Sequence, residues 1–407
     1  MPNALRLAAP WLCALVVLAL LPSLFPSRTG FSVMNAIGIQ LVFALSYNML
    51  LGQGGMLSFG HAVYFGLGGY GAMHAMRLIE EGALGLPIFG LPLVGFAVGL
   101  LAGAVIGWPS CRRSGVPFAM ISLGIGELVA AAGFMFVSLF GGEEGISGDR
   151  MVGPQLFGLS MGPIGEVYWF IAFWAFLATF AMWAFTRTPL GRLSNAVRDN
   201  SQRAEFIGFN PQRVRYLVFI ISGGFAGLAG GMSAVNYEIL TPETFSALVS
   251  GAVLIMAFIG GIGTFYGPIL GAILIVVMQS LLSDYTEAWQ LYIGILFIVM
   301  VMYAPGGLAG LVERVRQAAR RRELRRLAPL WAAGTLAALA MTLGLIILVE
   351  MVFRWREHGD PMELLGVPLS HQSVLGWLLA AVLVGLGGLG LRQLPKRLGR
   401  LLRGEAS

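Results

Sequence analysis

Apolar runs of about twenty residues recur along this chain, separated by short polar or basic stretches. A run of that length crosses a hydrocarbon core of ~30 Å as a helix. Lipid offers no partner for backbone N–H and C=O groups, so such spans fold as α-helices. The runs lie near 10–26, 31–50, 61–79, 88–109, 116–140 and 166–186. After a polar loop at 187–215 they resume near 216–237, 245–260, 265–283 and 288–304. A basic stretch at 311–326 precedes two more, near 328–352 and 373–392. The expected fold is an all-α polytopic membrane protein with about ten core transmembrane helices and two extra C-terminal ones. Only 11% of the residues are charged, against roughly 25% in a soluble domain. That excludes a soluble globular enzyme.

Charge sets the orientation. Arginine and lysine gather in cytoplasmic loops. With the N-terminus inside, all but Arg28, Arg77, Arg150, Arg354 and Arg356 fall on the inner side. Six arginines lie in 187–215 and seven in 311–326. Joining 245–283 into one span would turn the basic 311–326 stretch outward. The interruptions Gly260-Gly261-Ile262-Gly263 and Gly267-Pro268 therefore read as a division into two spans. Both termini are expected in the cytoplasm. Arg6 and the apolar run Trp11–Leu21 resemble a signal peptide, but 22–26 lacks a small-x-small cleavage site, so a retained first span is expected. The arginines read as inner-side anchors near anionic headgroups, and no nucleic-acid partner is expected. Cys13 and Cys111 fall at or in apolar spans and imply neither a disulfide framework nor a metal site.

The 187–215 loop holds the densest local signals. Thr188-Pro189 fits an N-cap followed by proline at the first helical position. Leu190, Leu193 and Val197 fall on one helical face. Asn200 or Ser201 can cap a second short helix carrying Ala204, Phe206 and Ile207. It stops at Gly208, the residue type suited to a left-handed C-terminal position. Asn210-Pro211 reads as the cap of the next span. Two short amphipathic helices on the inner side suit a protein that docks onto a cytoplasmic partner.

Other polar features lie within the spans. Glu127 is the one acid placed deep in a span, so it should face protein interior or water. Asn48, Gln53, Ser58 and His61 surround a glycine-rich break at 52–60. They could satisfy an unwound helix or line a pathway, and a plain inner-side turn is the simpler alternative. Ser58 with His61 is no hydrolase elbow, since Met56 stands at its first glycine position. Gly223, Gly227 and Gly231 form a small-xxx-small face for helix packing. The only lysine is Lys396, so the chain has no phosphate-binding loop. Any ATP must be hydrolysed on another chain.

Four ordered stretches resemble the branched-chain amino acid ABC permease family, LivM type. Residues 191–200 (GRLSNAVRDN) through 204–211 (AEFIGFNP) look like its coupling loop. Residues 45–62 look like its N-terminal glycine-rich segment, 118–127 like its central helix, and 141–147 like its outer loop. The resemblance covers roughly 31–312. It implies a permease domain over 1–310, followed by a basic connector at 311–327. A two-helix extension with a basic tail, 328–407, lies outside the family pattern. Within that pattern, Arg198, Asp199, Ala204, Glu205 and Gly208 would couple to ATPases. Asn48, Ser58, His61 and Glu127 are candidates for the translocation path. No cofactor or metal would bind this chain, and ATP-Mg would sit on partner subunits. The implied partners are two ABC ATPase subunits, a second homologous permease, a periplasmic binding protein and the lipid of a bacterial inner membrane. The implied activity is import of branched-chain or related neutral amino acids or amides. Glu143-Glu144 in the outer loop departs from the family pattern. The competing reading is a secondary transporter or channel for a small polar solute, which would use Glu127 for ion coupling.

Overall fold

The computed structural model describes residues 2–155, 158, 160–284, 286, 288–320, 334, 336–337, 340–341, 343–349, 351–352, 362–364, 367–369 and 374–402. The chain is a polytopic helical membrane protein. Its contacts fall into two units, Met1–Ser280 with Met300–Ala309, and Leu281–Val299 with Gly310–Ser407.

The first unit opens with α1 (Pro2–Leu24) and α2 (Arg28–Asn48), the latter capped by the Ser27 hydroxyl, which accepts from the Gly30 amide at 3.0 Å. A π-helical turn, Met49–Gln53, continues α2 into the glycine-rich break. Helices α3 (Ala62–Glu80), α4 (Leu91–Ser110) and α5 (Val116–Met135) follow. Helix α7 (Ile164–Arg187) leads to two short helices, α8 (Pro189–Asp199) and α9 (Ser201–Phe206), and then to the long α10 (Pro211–Tyr237).

At the centre, α10 packs against α3 and α4. Glycines bring these backbones together. Every fourth residue of α4 from Gly95 to Gly107 is a buried glycine. Gly95 and Gly99 face Gly223, Gly227 and Gly231 of α10, as the small-xxx-small spacing predicts, while Gly103 and Gly107 lie against Ile220 and Phe219. A Cβ on Gly227 would lie 2.9 Å from the Gly99 Cα, and one on Gly231 would lie 2.9 Å from the Pro92 Cα. Such contacts replace the hydrophobic driving force that lipid removes between membrane helices.

One expectation about spans needs correction. The run 116–140 is not one helix. It ends at Met135, the Phe136 backbone turns aside (φ −91°, ψ 69°), and one further turn, α6 (Val137–Phe140), follows. The segment after it is held to the end of α10 by β1 (Ile146–Ser147), which pairs antiparallel with β2 (Ile239–Leu240). Five described helices are long and apolar enough to cross a membrane: Arg28–Gln53, Ile88–Ser110, Val116–Met135, Ile164–Arg187 and Pro211–Tyr237. Trp289–Tyr303 with Gly307–Gln317 qualifies only as a pair bent by 48°. The division of 245–283 is present, as α11 (Ala247–Gly260) and α12 (Gly267–Ser283). At 1.5 Å per residue these reach only ~21 and ~26 Å. A Cβ on Gly260 would meet the Gly267 backbone, and one on Gly271 the Met256 backbone. The pair therefore doubles back closely at its glycines.

In the second unit, Ile347, Met351 and Ala380 form a small core with Leu348, Trp377 and Leu383. A helix, Val374–Leu402, carries Trp377, Ala380 and Leu383. A short hairpin pairs Met362–Leu364 with Val367–Leu369. The expected basic connector begins in the helix Gly307–Arg320. Its remainder, 321–327, and much of the expected span 328–352 lie outside the described residues.

Candidate functional site

The 187–215 loop folds as its caps dictate. The Thr188 hydroxyl accepts from the Gly191 amide at 3.2 Å, and Pro189 opens α8. The Asn200 side chain accepts from the Arg203 amide at 2.9 Å, which starts α9. Gly208 holds φ +94°, and Asn210 then accepts from the Gln212 and Arg213 amides at 3.0 and 3.1 Å. Each cap satisfies N–H groups that a helix start leaves unpaired. Val197, Ala204 and Val214 form a small core beneath, with Leu190 and Leu193 packed on it.

Ala204 thus serves the loop's own packing. Phe206 and Ile207, grouped with it from sequence, do not: they are 92% and 69% exposed. In a six-residue helix whose alanine already faces inward, two adjacent bulky apolar residues cannot share that face. They form an apolar knob together with half-exposed Phe209. Glu205 is exposed beside it.

Arg198 points the other way. Its guanidinium donates from Nε and Nη2 to Asp199 Oδ1 at 2.9 and 2.8 Å. Its Nη1 donates to the Gly52 carbonyl oxygen. Gly55, at φ +66°, lies against the side-chain stem, where an added Cβ would sit 2.7 Å from Arg198 Cγ. The loop is thereby latched to the π-turn that follows α2. A π-turn is a local irregularity of an α-helix and recurs at functional sites.

Beyond that turn the backbone of 54–60 is irregular, and neighbouring helices satisfy it. The Phe59 amide donates to Ser122 Oγ of α5 at 3.0 Å, and the Ala62 amide to Ser250 Oγ of α11 at 3.0 Å. The Tyr47 hydroxyl donates to the Ser58 carbonyl at 3.1 Å. The Asn48 amide group donates to the Thr264 carbonyl at 3.3 Å. Side chains of neighbouring helices thus supply partners that the irregular segment lacks in itself.

His61 is fully buried, stacked on Phe43 at 5.5 Å between ring centres. Ser46 Oγ donates its one proton to the Phe43 carbonyl at 2.7 Å and lies 3.0 Å from His61 Nε2. Nε2 must then carry the ring proton and donate it to Ser46, which leaves Nδ1 an acceptor. Asn48, Ser58 and His61 are thus drawn together in the protein interior around one break. Asn48 Oδ1, Gln53 Oε1, Ser58 Oγ and His61 Nδ1 have no protein partner among the described residues.

Glu127 lies apart from them. It stands exposed on the outward face of α5, away from the break. Its neighbour Gly126 does face the break, where an added Cβ would sit 3.2 Å from the Gly60 Cα.

At the opposite end of α10, Arg150 forms a clasp that sequence reading missed. Its Nε donates to the Met161 carbonyl at 2.7 Å, and Nη1 to the Asn236 carbonyl at 2.9 Å. Its guanidinium lies 3.5 Å from the Glu238 carboxylate, which also accepts from the Arg150 amide at 3.1 Å. A cation over the last carbonyls of a helix is the favoured polarity. The available signal was an arginine among the few placed on the outer side.

Known proteins are similar to this chain in sequence. The family described as "Branched-chain amino acid transport system / permease component" matches residues 30–304. The permease protein LivM of Salmonella typhimurium is 30% identical, covering 73% of this chain and 74% of its own length. LivM of Escherichia coli is 29% identical over the same shares. The permease protein LivH of Escherichia coli is 26% identical, covering 67% of this chain and 91% of its own. No solved structure matches. With the family match spanning most of the chain, this protein belongs to the permease components of branched-chain amino acid transport systems.

Proposed function

We propose that this permease subunit imports branched-chain amino acids, or related small neutral amino acids and amides, across a bacterial inner membrane by alternating access. ATP-Mg binds and is hydrolysed on two separate ATPase chains, and a periplasmic binding protein delivers the solute. A second homologous permease completes the membrane part, and both termini of this chain are cytoplasmic. The orientation is supported by the arginines gathered in 187–215 and 311–326, and two arginine–tryptophan stacks mark helix ends at an interface. Arg112 lies 3.9 Å over the Trp108 ring and Arg187 lies 4.4 Å over the Trp183 ring. Tryptophan and arginine together anchor a membrane protein at an interface.

The observation that carries the coupling mechanism is the Arg198–Gly52 contact. Phe206 and Ile207 offer an apolar knob to an ATPase groove. When the ATPase pair closes, the knob moves α8 and α9, and Arg198 draws on the π-turn. The hydroxyls of Ser122 and Ser250 and the side chain of Asn48 hold the far side of that segment. The four unmatched polar atoms find other partners when the segment rearranges. No step needs a catalytic residue in this chain.

Purifying the tagged protein in mild detergent from its native membrane tests the reading. Two ATPase chains and a second permease should come with it, and should be lost when 191–208 is scrambled. A solitary oligomer without ATPases would instead point to a secondary transporter or channel. Glu127→Gln gives a second expected result: solute uptake drops about tenfold, the equivalent of ~1.4 kcal/mol, with protein level unchanged. Equal uptake by the variant would remove Glu127 from the pathway.

A further inference from the structure

The exposed residues of α5 form a single stripe. Met120, Gly124, Glu127, Leu128 and Ala131 are all exposed and recur at steps of three and four, so they share one helical face. Phe118, Ala119, Ser122, Gly126 and Gly133 are buried on the opposite face. The stripe is therefore not part of this chain's own core.

Its chemistry is wrong for lipid. Glu127 lies ~16 Å along a helix of ~30 Å at 1.5 Å per residue, which places it near mid-membrane. A carboxylate there is costly against acyl chains and faces protein or a water-filled space. Gly124 adds a bare stretch of backbone: a Cβ built on it would have nothing within 4 Å. Other outward faces contrast with this one. That of α4 presents Leu93, Leu101, Val105 and Trp108, all exposed and apolar.

A second polytopic chain fits both features. It can approach a glycine backbone closely, and it can bring hydrogen-bond donors to a carboxylate, whereas acyl chains can do neither. A candidate exists in kind: Escherichia coli has two permease proteins, LivM and LivH, and both are similar to this chain. We infer that the stripe Met120–Gly124–Glu127–Leu128–Ala131 is the seam along which the second permease chain packs, enclosing Glu127. The inference rests on the importer reading proposed above. It has a mechanical corollary, since the same helix holds the break through Ser122. The seam and the broken segment share one backbone.

Photo-crosslinking in the intact complex tests the seam. Benzoylphenylalanine is placed at Met120 or Leu128, and at Leu101 or Val105 as lipid-facing controls. The membranes are irradiated before purification, and adducts are identified by mass spectrometry. Adducts to a permease chain, homologous or identical, are expected at Met120 and Leu128 and not at the controls. Lipid adducts alone at Met120 and Leu128, in a preparation that retains its ATPases, would overturn the seam and leave the importer reading intact. A preparation with neither ATPases nor a second permease would overturn both.

Discussion

Replacing Arg198 by glutamate should break the link between ATP hydrolysis and uptake. In the purified complex, reconstituted in vesicles, ATP turnover should persist while solute uptake falls by about 10- to 100-fold. The guanidinium makes a charge-assisted hydrogen bond to the Gly52 carbonyl and two bonds to Asp199. Bonds of that type contribute about 1.5–3 kcal/mol each. Glutamate removes the donor and sets a negative charge against a carbonyl oxygen and the Asp199 carboxylate. Arg198→Lys keeps the charge but loses the planar fork, so its uptake should fall between the two. Gly208→Val approaches the same loop from its backbone. At φ +94° a β-branched residue is strained by about 1–3 kcal/mol, and the loop must refold at its junction with α10. Unchanged coupling in both Arg198→Glu and Gly208→Val would count against the loop as the transmitting element.

Gly227→Leu should remove the protein from the membrane. Gly227 stands where α3, α4 and α10 meet. Its missing side chain lets the Gly99 Cα approach to the equivalent of 2.9 Å from a Cβ, and the Gly95 carbonyl comes nearer still. A Cβ on Gly68 would in turn meet the Gly227 backbone. All of these neighbours are main chain, so no side chain can swing aside. Overpacking costs about 1–3 kcal/mol where side chains can yield, and more is expected where only helices can move. A loss of that size changes the folded-to-unfolded ratio by a factor of roughly 5–30. Through clearance of the unfolded chain, membrane levels by immunoblot should fall several-fold. Gly294→Leu, placed where a Cβ meets nothing within 4 Å, is the matched control and should leave the level unchanged. Equal levels for both would mean that the glycine junction is not what fixes these helices.

Much of the loop was legible because its signals are local. Thr188, Asn200 and Asn210 cap within three residues of themselves, and Gly208 supplies a backbone angle that few residues adopt. The α10 glycines were legible for the same reason, through their spacing. The matching glycines of α4 are as regular, but an apolar run reads as a span before it reads as a packing face. The end of α5 at Met135 carries no glycine or proline, so hydropathy ran on through it. The strand pair 146–147 with 239–240 holds the segment beyond, and that pairing is remote in sequence. The Arg198–Gly52 contact joins positions 146 residues apart, which no local pattern encodes. Which side of α5 carries Glu127 was not legible, because apolar neighbours say that a helix is in the membrane and not which way a given side faces.

Helix α10 runs unbroken for 27 residues, or ~40 Å at 1.5 Å per residue. One end begins at the Asn210 cap of the 187–215 loop, and the other ends under the Arg150–Glu238 clasp. In the coupling mechanism proposed above it would act as a tie-rod between the two sides of the membrane. A push at its foot would be delivered to its head, with close glycine contacts as bearings along the way. Linkage makes such a rod work in both directions. A delivery protein that favours one posture of the clasp must bias nucleotide binding on the far side by the same free energy.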